Sequence, residues 1–263
     1  MAEMTPTTIG WKAQPLYTRV AVVGILVNGL VSLVFTVLSV IDGEASTVAL
    51  FIILTALSGI SVGLIWRFDK WGLVVGAIWG YLNLSWAWLL IIALSYPNSF
   101  FDFVMPLLLT VSGLLAGVGA TVALVQRRRG AMRTAATRTE RRAGGAIVIV
   151  ILVLVVLSGI LHIVGRTTVS AEAKAGAVVV QMKNSYLAPD RLELRIGETT
   201  LILLKNNDFF LHTFEIDELG VDHTVMPFSE LLIELRPTST GEFTFRSASY
   251  MTGNTEGVLA VTK

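Results

Sequence analysis

Residues 146–183 read AIVIVILVLVVLSGILHIVGRTTVSAEAKAGAVVVQMK, and three regimes follow one another within them. Ala146–Val164 is apolar and uncharged for about the 20 residues that a helix needs to cross a hydrocarbon core. Arg166–Gly176 is small and polar without apolar periodicity, which predicts a tether of roughly 35 Å if extended. From Ala177 the apolar residues come in short runs bounded by turn formers, the pattern of strands. The chain therefore changes character near Gly165, from helical to β.

Working back toward the N-terminus, four more uncharged apolar windows appear: Val20–Ile41, Thr47–Trp66, Trp71–Leu94 and Phe103–Val125. Five such windows, with 54% apolar residues over 263, place the chain in the membrane class. The first window is too long for a cleavable signal and is read as a retained anchor. Lys and Arg fall before window one (Lys12, Arg19), between two and three (Arg67, Lys70), and between four and five (Arg127–Arg129, Arg133, Arg138, Arg141, Arg142). The alternate connections, Asp42–Ser46 and Ser95–Asp102, contain none, so the positive-inside rule predicts a cytoplasmic N-terminus and an extracytoplasmic C-terminal domain in a cell membrane. The expected organisation is residues 1–19 as a cytoplasmic N-terminus, 20–125 as a four-helix membrane region and 126–145 as a basic cytoplasmic loop. A fifth transmembrane helix over 146–165, a tether over 166–176 and an extracytoplasmic β domain over 177–263 complete it.

Inside the windows the polar residues are few: Asn28, Asn83, Ser85 and His162. Asn28 and Asn83 are expected to hydrogen-bond across helices, and His162, near the outer end of its window, to be solvated or interfacial and not a haem or metal ligand. Glycines spaced by four (Gly72, Gly76, Gly80; Gly59, Gly63; Gly113, Gly117) predict close helix packing. Trp66, Trp71, Tyr96, Phe100 and Phe101 are expected to form an interfacial aromatic belt. The arginine-rich loop lacks interleaved aromatics, so its expected partner is the anionic lipid of the bilayer and not nucleic acid. The absence of cysteine excludes disulfides, thiolate metal sites and a cysteine nucleophile. The acidic residues Glu215, Asp217, Glu218 and Asp222 read as solvated, no Ser–His–Asp ordering, phosphate loop or HExxH pattern appears, and no enzyme is expected.

Beyond Ala177 the alternation predicts strands at Val178–Met182, Leu192–Ile196, Leu201–Leu204, His212–Ile216, Leu231–Leu235, Phe243–Phe245 and Val258–Val261. About seven short strands in such a length make a small sandwich or barrel. The run VVVQMKNSYLAPDRLELRIGETTLILLKNNDFFLHTFEI (residues 178–216) carries Asn184, Tyr186 and Pro189, the Gly197 turn, and Asn207-Asp208 ahead of a histidine. The chain's last part, GEFTFRSASYMTGNTEGVLAV, pairs a Gly-aromatic-x-aromatic strand with a Gly-x-Leu-x-Val strand. These two stretches resemble a plastocyanin-like cupredoxin domain over residues 177–263. The fold class expected is thus an α-helical membrane bundle of five transmembrane helices followed by an all-β, cupredoxin-like Greek-key sandwich.

The resemblance implies a copper site and says where its ligands would fall. His212 matches the family's histidine after the Asn-Asp turn, Ser247 stands at the family's Cys, and Met251 or Thr252 stands where the second histidine falls. The axial Met falls near Thr255. A His₂Cys copper site depends on its thiolate, so the resemblance implies a degenerate site. His212 and Met251, with His223 and Met226 as further candidates, supply imidazole and thioether donors that suit Cu(I). His223 and Asp222 are placed in a loop. Two functions stay open: a binding or assembly module, with other subunits of a membrane complex among its partners and no cofactor, or a copper-binding protein built around His212.

Overall fold

The computed structural model describes residues 11, 14–42, 45–183, 186–249 and 253–263. They form six α-helices and nine strands. The helices are α1 (Leu16–Asp42), α2 (Ala45–Phe68), α3 (Lys70–Leu82), α4 (Ala87–Ala93), α5 (Phe100–Arg128) and α6 (Arg138–Val164). Five spans, Leu16–Ile41, Thr47–Phe68, Lys70–Ala93, Phe100–Arg128 and Arg138–Val164, are long and apolar enough to cross a bilayer. The chain is a multi-pass membrane protein.

The chain divides into two compact units. The first holds residues 1–90 and 105–153, and its core joins Ala21 and Ile25 of α1, Val62 and Ile65 of α2, and Ala116 and Ala120 of α5. Small residues set these crossings. A Cβ on Gly80 would lie 2.2 Å from the backbone nitrogen of Gly117, and one on Gly24 would lie 2.5 Å from that of Ala116. Gly72 is as tightly placed against Leu64. Gly59 and Gly63 differ from expectation: a Cβ on either meets nothing within 4 Å, because that face of α2 turns outward. Sequence spacing put them on one face but could not say which way the face points.

The third apolar window is also not one helix. It breaks at a 3₁₀ turn, Asn83–Trp86, between α3 and α4. Asn83 is buried there, donating to the Trp79 carbonyl at 2.8 Å and accepting from Asn28 Nδ2 at 2.8 Å. Asn28 Oδ1 accepts in turn from Ser58 Oγ, which takes the indole N–H of Trp79, each at 3.2 Å. A neutral amide–hydroxyl network thus ties α1, α2 and α3 together, as expected for Asn28 and Asn83.

The second unit holds residues 91–104 and 154–263. Its strands are β1 (Val178–Lys183), β2 (Tyr186–Ala188), β3 (Arg191–Arg195), β4 (Thr200–Asn206), β5 (His212–Ile216), β6 (Val221–Val225), β7 (Glu230–Leu235), β8 (Gly241–Ser249) and β9 (Gly253–Thr262). One sheet runs β2-β1-β4-β7 and the other β3-β9-β8-β5-β6. β1 pairs parallel to β4 and β3 parallel to β9, while the remaining pairs are antiparallel. Alternation sends Val180, Met182, Ile202 and Leu204 from one sheet and Phe214, Ile216, Phe245 and Leu259 from the other into a shared core. β2 and β6 are the strands that the apolar pattern missed. Both are edge strands, where half the backbone faces out and alternation is weak.

The tether is not free. Thr167 is bonded to β7, its carbonyl taking the Glu230 N–H at 2.8 Å and its hydroxyl donating to the Glu230 carbonyl at 2.8 Å. Glu230 Oε2 accepts from the Val169 N–H and from Lys174 Nζ, both at 3.2 Å. These two donors hold the Glu230 carboxyl below its ordinary value. Composition alone reads this segment as flexible because its partners lie some sixty residues away.

Candidate functional site

The turn between β4 and β5 places the site. Asn206 ends β4 with its side chain buried, its Nδ2 donating to the carbonyls of Phe210 at 2.8 Å and Val225 at 3.0 Å. Its Oδ1 accepts from the Asp208 N–H at 2.8 Å, an Asx-type turn. Asp208 Oδ1 accepts from the Phe209 N–H at 2.6 Å and reaches that of Phe210. The next N–H, on Leu211, donates to Asp102 Oδ2 at 2.8 Å. Four successive backbone donors are thus met by side-chain oxygens, which fixes the turn without any sheet partner.

That turn delivers His212 into the sandwich. Its Nε2 lies 2.9 Å from Asp208 Oδ2, and its Nδ1 lies 3.1 Å from Ser247 Oγ on β8. All three residues are buried, His212 at 2% exposure and Asp208 at none. One ring nitrogen thus faces a carboxylate oxygen and the other a hydroxyl, which can donate or accept. Ser247 Oγ also lies 4.0 Å from the sulfur of Met182, at the buried end of β1. Beside it the Ala248 N–H donates to Thr213 Oγ1 at 3.0 Å, locking β8 to β5.

A Ser–His–Asp chain therefore exists in space that the sequence order hides. All three of its members are buried. The sequence brought His212 and Ser247 to notice, and the structure places them side by side. Asp208 and Met182 were missed: the first looked like turn punctuation, and the second like any core residue of an alternating strand. The Asp208–His212 spacing of four across a turn was the available signal. His223 is on a strand and not in a loop. It stands on β6 opposite Phe214, whereas the partner of His212 is Val225. Its edge strand is short and closes through the Asp217–Leu219 turn, which the acidic composition disguised as loop. Met226 lies half-buried just past β6. Met251 and Thr252 lie outside the described residues, as does Asn184. Among the described residues, no group of three or more His, Asp or Glu side chains is placed to hold a metal ion. The donors present do not fit a blue copper ion, since the chain has no thiolate to form its short Cu–S bond.

The same unit surrounds this turn with residues 91–104 and the end of α6. Asp102, in the first turn of α5, is buried and also accepts from Ser99 Oγ. Its Oδ1 has no partner among the described residues. Phe101 packs edge-on against Phe209 at 5.3 Å between ring centroids, and Phe209 against Phe228 at 5.1 Å. Phe100 packs edge-on against Phe101 at 5.1 Å, so both belong to this aromatic cluster. His162 corrects its expectation. It is 8% exposed, its Nδ1 is 3.2 Å from the Asn98 carbonyl and its Nε2 is 3.0 Å from the Arg166 guanidinium, which lies over Phe228. Phe228 packs edge-on against its ring at 6.3 Å between centroids.

A family model described as a cupredoxin-like domain matches residues 147–261, taking in most of α6 as well as the strands. Among solved structures, an apo copper-binding protein solved by NMR is 20% identical, the alignment covering 33% of this chain and 86% of that one at a TM-score of 0.27. The metal-binding domain of a Streptococcus pneumoniae Cu(I)-exporting P-type ATPase is 16% identical over 37% of this chain and 94% of its own, with a TM-score of 0.28. A Cu(I) form of an amicyanin variant is 17% identical over 37% and 92%, with a TM-score of 0.29. Likenesses at this level say nothing of what this chain binds. No curated protein matches the chain at a significant level. The family match falls on the two-sheet domain whose turn buries His212 beside Ser247, and residues 147–261 are a cupredoxin-like segment.

Proposed function

We propose that this membrane protein displays its cupredoxin-like domain outside the cytoplasm as a binding or assembly module whose type 1 copper site has been lost. The observation that carries this reading is the hydroxyl of Ser247 in hydrogen-bond contact with His212, where the resemblance puts a thiolate. With Asp208 on the other ring nitrogen, both imidazole nitrogens are engaged inside the protein. The three basic segments, all on alternate connections, support a cytoplasmic N-terminus and the opposite side for the β domain. Its partners are the bilayer and other subunits of a membrane complex.

Copper handling is the second reading, and one contact favours it. The Met182 sulfur stands on the Ser247 side of His212, so thioether and imidazole donors of the kind that suit Cu(I) converge there. A carboxylate on the far ring nitrogen is also how proteins orient ligating histidines. The full chain, purified in detergent without chelators, separates the two. Competition with a Cu(I)-specific chelator should detect no tight stoichiometric site, and metal analysis no copper. One copper per chain, lost in both His212→Ala and Met182→Leu, overturns the first reading in favour of the second.

A further inference from the structure

In the helical unit, Leu16, Arg19, Val20 and Val23 follow the i, i+3, i+4, i+7 spacing of one helix face. They line a groove of about 260 Å³ that Leu115 of α5 and Trp11 complete. The two helices close on one another beside it, where Gly24 meets the backbone of Ala116 and Gly119 that of Ala21. Arg19 is the one charged group of the lining. Its guanidinium donates to the Thr134 carbonyl, but its Nε is buried without an acceptor. No carboxylate pairs with it among the described residues. The nearby Glu140 is taken by Arg133 and Tyr17. Arg128, Arg129, Arg141 and Arg142 of the same unit are exposed, so the surroundings carry a surplus of positive charge.

We propose that this groove holds one anionic phospholipid, its phosphate on the Arg19 guanidinium and an acyl chain along Val20, Val23 and Leu115. Guanidinium is the side chain best matched to phosphate oxygens. The apolar walls ask for a hydrocarbon chain, not for a free anion. The exposed arginines concentrate anionic headgroups at this end of the bundle, and the groove selects one of them. The charge at its mouth distinguishes this occupant from a neutral lipid or a partner helix.

The test uses the full chain in mild detergent, titrated with dioleoylphosphatidylglycerol or dioleoylphosphatidylcholine and read by native mass spectrometry. One phosphatidylglycerol should be retained per chain, in preference to phosphatidylcholine. Arg19→Gln should weaken that retention on the order of tenfold. Val23→Trp, which fills the groove from a lipid-facing position, should do the same with helix content unchanged, and it carries the test if Arg19→Gln fails to fold. Replacing Arg128, Arg129, Arg141 and Arg142 by Gln should leave the single retained lipid in place. Equal retention of the two lipids overturns the proposal, as does displacement by glycerol phosphate, which has the headgroup anion without a chain. Loss in the loop variant with retention in Arg19→Gln overturns it as well.

Discussion

The amide–hydroxyl network around Asn28 and the Asp208–His212–Ser247 chain are both buried and both hydrogen-bonded end to end, yet only the second contains groups that ionise or ligate metals. In the bundle, Asn28, Asn83, Ser58 and Trp79 exchange neutral hydrogen bonds, the inexpensive way to bind helices where water is absent. In the β domain, a carboxylate and an imidazole are kept inside a sandwich at the cost of desolvation. The proposal of a lost ligand site rests on that second network and not on the membrane polar residues.

Removing one member from each network sharpens the contrast. His212→Ala removes one hydrogen-bond partner of the buried Asp208 carboxylate and opens a cavity, and should cost about 2–4 kcal/mol in the β domain. All six Trp residues precede Gly165, so Trp fluorescence reports the bundle alone, while hydrogen exchange at the β5 amides reports the sandwich. His212→Ala should raise β5 exchange and leave the Trp signal unmoved. Unchanged β5 protection would mean that the chain of bonds stabilises nothing. Gly80→Val should cost the bundle about 1–3 kcal/mol, because its Cβ would meet the Gly117 backbone. The same change at Gly59, which faces open space, should leave the thermal midpoint in detergent within error. Asn28→Leu should cost about 1 kcal/mol, read by the Trp79 emission, since Asn83 retains its bond to the Trp79 carbonyl.

The smallest effect concerns the tether. The folded Glu230 carboxyl titrates below its ordinary value, so its contribution is complete above that ordinary value and is lost as pH falls through the folded one. Exchange at the Val169 amide should therefore accelerate on acidification. In Glu230→Gln it should be fast at neutral pH and lose most of that pH dependence beyond the intrinsic exchange rate.

The spans, the strand order from β3 to β5 and the cupredoxin resemblance were legible because each rests on local periodicity or on residues close in sequence. His212 and Ser247 were legible through the resemblance. What stayed hidden shares one physical feature. Asp102 reaches Leu211 across 109 residues, Thr167 reaches Glu230 across 63, and His162 reaches Asn98 across 64. No window of sequence contains both ends of such a bond. The same limit explains Asp208, which looks like a turn residue until His212 is seen to lean on it.

By itself the sequence determined how many segments can cross a membrane, where the chain turns from helix to strand, and that no thiolate is present to hold a blue copper ion. These are properties of composition and period, which each residue carries wherever the chain folds. Only the tertiary structure decided which glycines touch a neighbour, that the tether is pinned to β7, and that serine, histidine and aspartate close into one buried chain. Those depend on which surfaces meet, and burial is a property of the meeting and not of the residue.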